Sequence, residues 1–213
     1  MSRLRFRISM SLDGYVAGPD QRREEPLGTG GEGLHEWIVK LATWREAHGL
    51  EGGEVDASTE VEKRLLGQIG ATIMGRNMFG GHPGPWDGET PWTGWWGKNP
   101  PFHHPVFVLT HHPREPLVLE GGTTFHFVTD GIESALEQAR EAAGDKDVGL
   151  GGGARAAQQY LRAGLVDEMW LHVVPILLGG GEALFAGLDD LAGLEQVEVV
   201  AAPGVTHLRF ARS

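Results

Sequence analysis

Residues 147–161 read DVGLGGGARAAQQYL. A short apolar run leads into Gly149, Gly151, Gly152 and Gly153, and a helix-forming segment follows without a break. Strand, glycine turn and helix in immediate succession form the repeating unit of an α/β layer fold. The glycines permit two things. They let a ligand approach the backbone where a helix opens, at exposed N–H groups that favour a phosphate. They also allow a tight strand-to-helix turn that serves geometry alone. Gly149, Gly151 and Ala154 match the dinucleotide pattern G-x-G-x-x-A. The wider Rossmann context fails, because that motif follows the first strand of its domain and expects an acidic residue closing the next strand. Here Asp167 and Glu168 open the next strand instead.

Outward from this unit the same alternation holds. Upstream, residues 3–9 read as a strand followed by the loop SLDGYVAGPDQ. The spacing of Leu34, Trp37, Ile38, Leu41 and Trp44 predicts a helix from Leu34 to Ala47. A second helix is expected over 58–68, with Ser58 or Thr59 near its N-cap. A strand over 71–75 precedes a segment rich in glycine, proline and tryptophan over 80–105. PVFVLT (105–110) and TTFHFVT (123–129) are further strands. Asp130 is expected to open a helix over 131–143, with Glu133 as capping-box partner and Gly144 as C-terminal cap. Its inner face carries Ile132, Ala135, Leu136 and Ala139. Downstream, DEMWLHVVP is a strand closed by Pro175, and strands over 194–201 and 205–212 meet at Ala202-Pro203-Gly204. With no internal repeat and no linker, the 213 residues read as one domain, 1–213.

Composition narrows the function classes. Forty per cent apolar and 22% charged residues suit a soluble globular protein. No stretch approaches the roughly 20 apolar residues of a membrane span. The start, MSRLRFRISM, lacks the apolar block of a signal peptide, so a cytoplasmic protein without a membrane partner is expected. The absence of cysteine excludes disulfides, thiolate metal sites and a cysteine nucleophile. A formal net charge of −11 repels a nucleic-acid backbone, so any anionic ligand must meet a local positive feature.

Arg76 is one such feature. It follows Gly75 directly after the apolar strand, where it serves either as a surface charge or as a cation at the ligand-binding end of the sheet. Thr110-His111-His112-Pro113-Arg114 closes the next strand, and together the two ends make a basic rim suited to a nucleotide's 2′-phosphate. The pairs His103-His104 and His111-His112 do not read as a metal site, since neighbours on a strand point to opposite faces. Trp37 and Trp44 read as core. Trp86, Trp92, Trp95 and Trp96 lie in a segment too polar to be core throughout, and either cover a flat substrate or pack on a second subunit. For proton chemistry the candidates are Asp13, which also reads as a turn residue before Gly14, and Glu36 on the first helix.

Read in order, SLDGYVAG, ATIMGRNMF, VFVLT, GGGA…YL and LVDEMWLHVVPILLGGG…LF resemble the dihydrofolate reductase superfamily. They are most similar to the branch related to the reductase domain of the bifunctional riboflavin-biosynthesis deaminase–reductase. The resemblance spans nearly the whole chain. It implies a three-layer α/β fold, a mixed and mainly parallel sheet flanked by helices, with NADPH across the strand ends. It implies that Gly75 and Arg76, with Asn77 beside them, serve the phosphate side of the cofactor. Thr110 and His111 belong to the adenosine side, and Gly151, Gly152, Gly153 and Ala154 cradle the pyrophosphate. Ser9, Val16 and Ala17 approach the nicotinamide. Glu36 is the nearest counterpart in sequence of the family's substrate-binding acid. The zinc-binding cysteines of the deaminase half have no counterpart here.

The expectation is therefore an NADPH-dependent reductase that passes hydride to a small pterin- or pyrimidine-like heterocycle. It is akin to dihydrofolate reductase and 5-amino-6-(5-phosphoribosylamino)uracil reductase, and works as a cytoplasmic homodimer. The alternatives are a flavin- or deazaflavin-dependent oxidoreductase and a non-catalytic protein that senses a nucleotide or small ligand.

Overall fold

The computed structural model describes residues 2–65, 68–80, 84–86 and 92–212. In chain order these form β1 (Leu4–Ser11), a 3-10 turn (Gly31–His35), α1 (Glu36–Val39), α2 (Ala42–Ala47), α3 (Ala57–Leu65), β2 (Ile69–Gly75) and α4 (Arg76–Phe79). Then follow β3 (Pro105–Leu109), β4 (Leu117–Val118), a 3-10 turn (Glu120–Gly122), β5 (Thr124–Val128), α5 (Ile132–Ala143), β6 (Asp147–Gly152) and α6 (Ala154–Arg162). β7 (Glu168–Val174), β8 (Leu194–Ala202) and β9 (Val205–Arg212) end the chain. The result is a mixed, mainly parallel sheet with flanking helices, as the resemblance implies. Two compact units are present: residues up to Phe6 with Ile69–Val166, and Arg7–Gln68 with Asp167 onward.

In the first unit the strand order is β4-β5-β3-β2-β6-β1. β5, β3, β2, β6 and the first residues of β1 pair in parallel, while β4 runs antiparallel to β5. Parallel strands covered by helices read as continuous apolar runs, and Ile73, Met74, Val106, Val108 and Leu150 are buried accordingly. The chain moves outward from β2 through β3 to β5, then returns across α5 to β6 on the other side of β2. That reversal is a topological switch point, where open α/β sheets hold ligands beyond the strands' carboxyl ends. α5 lies against β2, β3 and β6, with Ala135, Leu136, Ala139 and Ala143 buried. Tyr160 of α6 donates its hydroxyl to the Ile132 carbonyl at 2.8 Å, tying the start of α5 to α6.

In the second unit β9 pairs antiparallel with both β7 and β8, and the later part of β1 lies beside β7. Trp170, His172 and Val174 share one face of β7 by strand alternation. Val61 and Leu65 of α3 pack on Trp170, and Leu34, Trp37 and Leu41 pack on Val174 and Val205.

Three local expectations are corrected. The helix expected over Leu34–Ala47 is broken into a 3-10 turn, α1 and α2, with Leu41 extended (φ −68°, ψ 140°). A distant segment satisfies the backbone at the break: Glu54 N–H donates to the Lys40 carbonyl, and Ala42 N–H donates to the Glu54 carbonyl. The N-cap of α3 is Asp56, with Ser58 and Thr59 near it in the first turn; its Oδ1 accepts the Ser58 N–H at 2.8 Å, while Thr59 Oγ1 accepts the Asp56 N–H at 3.1 Å. α3 ends at Leu65, and the next two residues of the expected helix lie outside the described residues. No capping box opens α5, because Gly131 occupies the N-cap with φ 95° and no side-chain bond. Gly144 does end that helix with a positive φ of 59°. The tryptophan segment is also less exposed than its composition implies. Trp86, Trp92 and Trp96 pack against Met74, Phe79, Val106, Val108 and Phe125.

Candidate functional site

In the first unit, the expected cofactor residues gather at the carboxyl ends of the parallel strands. Met74 pairs with Gly152, which sets the ends of β2 and β6 side by side. Gly75 sits so close to the start of α6 that a Cβ there would stand 3.2 Å from the Ala156 Cβ and 3.7 Å from the Gly153 nitrogen. Gly152 has φ 109°, a conformation that favours glycine, and the Gly152–Gly153 peptide is cis. Gly153 differs from both. Its φ of −68° suits any residue, and an added Cβ would meet no atom of the described residues within 4 Å. The backbone entering α6 therefore faces open space.

Gly153 is the N-cap of α6 and brings no capping side chain; the helix's first bond runs from Ala157 N–H to the Gly153 carbonyl. The amides of the first turn have no intrahelical acceptor, and with the helix dipole they favour an anion. Gly151, Gly152 and Ala154 shape this cradle, Gly151 by passing within reach of Met78, whose Cε would stand 3.2 Å from a Cβ placed there.

Beside the cradle, Arg76 and exposed Asn77 begin α4 at the end of β2. The Arg76 guanidinium lies 3.1 Å from the ring centroid of Trp86. Arg114 reaches the same ring, its Cζ 4.9 Å from the Trp86 centroid and 4.9 Å from that of Phe127, and donates Nη1–H to the Trp92 carbonyl at 2.6 Å. The basic rim expected from Arg76 and Arg114 thus exists, and Trp86 is what joins it. Buried Thr110 accepts the His112 N–H at 3.2 Å, while His111 points to solvent.

The second unit holds the remaining candidates. Ser9 is buried and accepts the Trp37 indole N–H at 3.1 Å. Val16 and Ala17 are buried in a loop zipped to Glu182, Val16 N–H donating to the Glu182 carbonyl and Glu182 N–H to the Ala17 carbonyl. Asp13 holds the same loop: its carboxylate accepts the Ser11 hydroxyl at 2.6 Å and the N–H groups of Leu178 and Gly179 at 3.1 and 2.7 Å. These donors, Ser11 foremost, hold it below the ordinary carboxylate value. Glu36 opens α1, its side chain exposed and 3.7 Å from Lys40. The geometry therefore gives Asp13 a holding role and leaves Glu36 at the surface.

Sequence reasoning missed a buried polar chain in this unit. His172 Nδ1 meets His207 Nδ1 at 2.7 Å, His207 Nε2 meets Ser58 Oγ at 3.0 Å, and Trp37 packs against both rings. The three residues are too far apart in sequence for any spacing rule to link them. Trp86 and Arg114 escaped pairing for the same reason.

The sequence profile of the RibD C-terminal domain matches residues 3–208. The chain belongs to the RibD C-terminal domain family. RibD-type chains are also similar in structure. A protein of Shewanella sp. PV-4 attributed to riboflavin biosynthesis superposes with a TM-score of 0.61 at 23% identity, over 100% of this chain and 99% of that one. A diaminohydroxyphosphoribosylaminopyrimidine deaminase/5-amino-6-(5-phosphoribosylamino)uracil reductase of Thermotoga maritima gives 0.58 at 15% identity, over 100% of this chain and 57% of its own length. Dihydrofolate reductase from Enterococcus faecalis, solved with NADP(H), gives 0.51 at 13% identity, over 99% and 96%. These likenesses establish a dihydrofolate-reductase-like fold. Among curated proteins, YyaP of Bacillus subtilis (strain 168), itself uncharacterised, is 34% identical over 71 residues, 33% of this chain, and the match spans 37% of that relative's length. No helix among the described residues is long and apolar enough to cross a membrane.

Proposed function

We propose that this RibD-type chain is an NADPH-dependent reductase acting on a small heterocycle of pterin or pyrimidine type, as a single functional domain. The observation that carries the reading is the open space at Gly153, beside Gly75 and Arg76 and at the mouth of an uncapped helix. A pyrophosphate fits a cradle of backbone amides without side chains, and the nearby guanidiniums suit a further phosphate. Bound NADPH supplies the hydride; the protein's part is to hold and orient the partners.

Gly151, Gly152, Gly153 and Ala154 hold the pyrophosphate, and Gly75, Arg76 and Asn77 serve the phosphate side. Thr110 and His111 border the adenosine. In the second unit Ser9 is held by Trp37, and Val16 and Ala17 by Glu182; their part towards the nicotinamide is what the family resemblance implies. Asp13 already accepts three hydrogen bonds as a carboxylate, so it orders its loop and the proton comes from water. Homodimer formation, which the family resemblance suggests, and a cytoplasmic location belong to the same proposal.

The test is titration of purified protein with NADPH and NADH, followed by NADPH oxidation at 340 nm across pterins and pyrimidines. Tight NADPH binding with turnover of at least one heterocycle supports the reading. Binding without turnover points to a sensor, and a yellow protein indifferent to NADPH points to a flavin-type cofactor.

A further inference from the structure

Alternate side chains of a strand share a face, so Arg7, Ser9 and Ser11 lie on one side of β1. The two serines there are spent differently. Ser11 is complete: its hydroxyl donates to Asp13 at 2.6 Å and accepts the Tyr15 N–H at 2.9 Å. Ser9, only 6% exposed, accepts the Trp37 indole N–H at 3.1 Å, and no acceptor among the described residues takes its own hydroxyl hydrogen. A buried hydroxyl with its donor unspent is costly, and it calls for a partner from outside the fold. Trp37 is itself held in place. His172 and His207 pack on its ring with centroids 4.9 and 5.0 Å away, and these two rings are tied to each other at 2.7 Å and, through His207, to Ser58 at 3.0 Å. An indole N–H can only donate, so it occupies a lone pair of the Ser9 oxygen and leaves the hydroxyl hydrogen pointing away from the ring.

We infer that Trp37 is a positioning residue which fixes Ser9 as a hydrogen-bond donor, and that Ser9 reads a ring carbonyl oxygen on the heterocycle. This rests on the reductase reading above and narrows its substrate to rings in the oxo form. An oxo-pterin or oxo-pyrimidine carries such an oxygen on its rim, held rigid by the ring. A fixed donor opposite a fixed acceptor loses little freedom on binding. A ring without the oxygen leaves the buried hydroxyl unpaired, and a site built to bond one group rejects the analogue that lacks it. The carboxamide oxygen of a nicotinamide has the same acceptor chemistry. It turns about a single bond, however, and so gains less from a donor held in place.

The test is calorimetric titration of wild-type, Ser9→Ala and Trp37→Phe proteins, each checked for a native melting transition. Two ligand pairs serve as probes: pterin against 2-aminopteridine, and 5,6-diaminouracil against 4,5-diaminopyrimidine, the second of each pair lacking ring oxygens. NADPH is titrated alongside. The wild type is expected to favour the oxo member of at least one pair by about tenfold, and Ser9→Ala to lose that preference. Trp37→Phe keeps a ring and removes only the indole donor, so the preference should fall to within about threefold while NADPH binding is unchanged. General damage to the fold would weaken both members of a pair alike and leave their ratio as it was. Should Trp37→Phe fail to fold, Trp37→Tyr takes its place. An unchanged ratio in folded Ser9→Ala overturns the inference, as does a wild type that takes both members of each pair equally. A full preference in Trp37→Phe removes Trp37 from it. Weaker NADPH binding in Ser9→Ala with the ratio unchanged assigns Ser9 to the carboxamide and overturns the substrate contact. A wild-type protein that binds no member of either pair overturns the substrate reading itself, and the inference with it.

Discussion

The Nδ1 atoms of His172 and His207 stand 2.7 Å apart in the buried interior of the second unit, so one imidazole must donate to the other. Burial is the main cause holding His172 well below its ordinary 6.5, with His207, Arg7 and His35 adding to it. His207 is lowered to about 4, again chiefly by burial, with Asp56 opposing and Arg64 assisting. The folded state thus keeps both rings neutral, whereas the unfolded chain takes up protons below about pH 6.5. Stability is therefore full above that value and falls as the pH drops towards 4, by on the order of 3 kcal/mol from His207 alone. Urea unfolding at pH 7.5, 5.5 and 4.5 measures it. A His207→Asn variant should show a shallower decline, and an equal slope in the variant would remove His207 from the explanation.

A second prediction concerns Glu168, buried on β7. Its Oε2 accepts Arg209 Nε–H and Nη2–H at 3.0 and 2.7 Å, and its Oε1 accepts the Trp170 indole N–H at 3.2 Å. Truncating Arg209 removes a bidentate cation from a buried carboxylate, which costs roughly 3 kcal/mol. Arg209→Ala should lower the urea midpoint by that amount, and Arg209→Lys by less. A loss below about 1 kcal/mol would mean the pair behaves as a surface contact.

Asp13 gives a third, local prediction. If its carboxylate pins the 176–180 segment, the amides of Leu178 and Gly179 should be protected from hydrogen exchange at neutral pH and exposed in Asp13→Ala. The protection is present above the ordinary carboxylate value of 3.8 and disappears as the pH falls below it, because the folded value is lowered. Equal exchange in the variant would show that the loop is held by other contacts.

Much of the fold was legible because buried parallel strands are plain apolar runs: 71–75 and 147–150 lie within strands, and 105–110 runs one residue past the end of β3. The turn glycines marked the strand ends, and the resemblance gave the site its roles. The break at Leu41 was not legible, since Leu34, Trp37 and Leu41 keep helical spacing inward while Glu54, a distant residue, takes over the backbone bonds. β4, two residues long, carries no pattern. The Arg76–Trp86–Arg114 stack is tertiary, and no local rule links a glycine-rich segment to an arginine beyond the next strand.

In the proposed complex the open backbone before α6 receives the cofactor's pyrophosphate. Gly153→Val tests it most directly, because the φ of −68° accepts valine and its Cβ meets no atom of the described residues within 4 Å. The side chain would instead fill the cradle. An unchanged melting temperature is expected, with NADPH binding weakened by at least about a hundredfold, the scale of a displaced charged group. A folded Gly153→Val protein that binds NADPH as tightly as the wild type would contradict it.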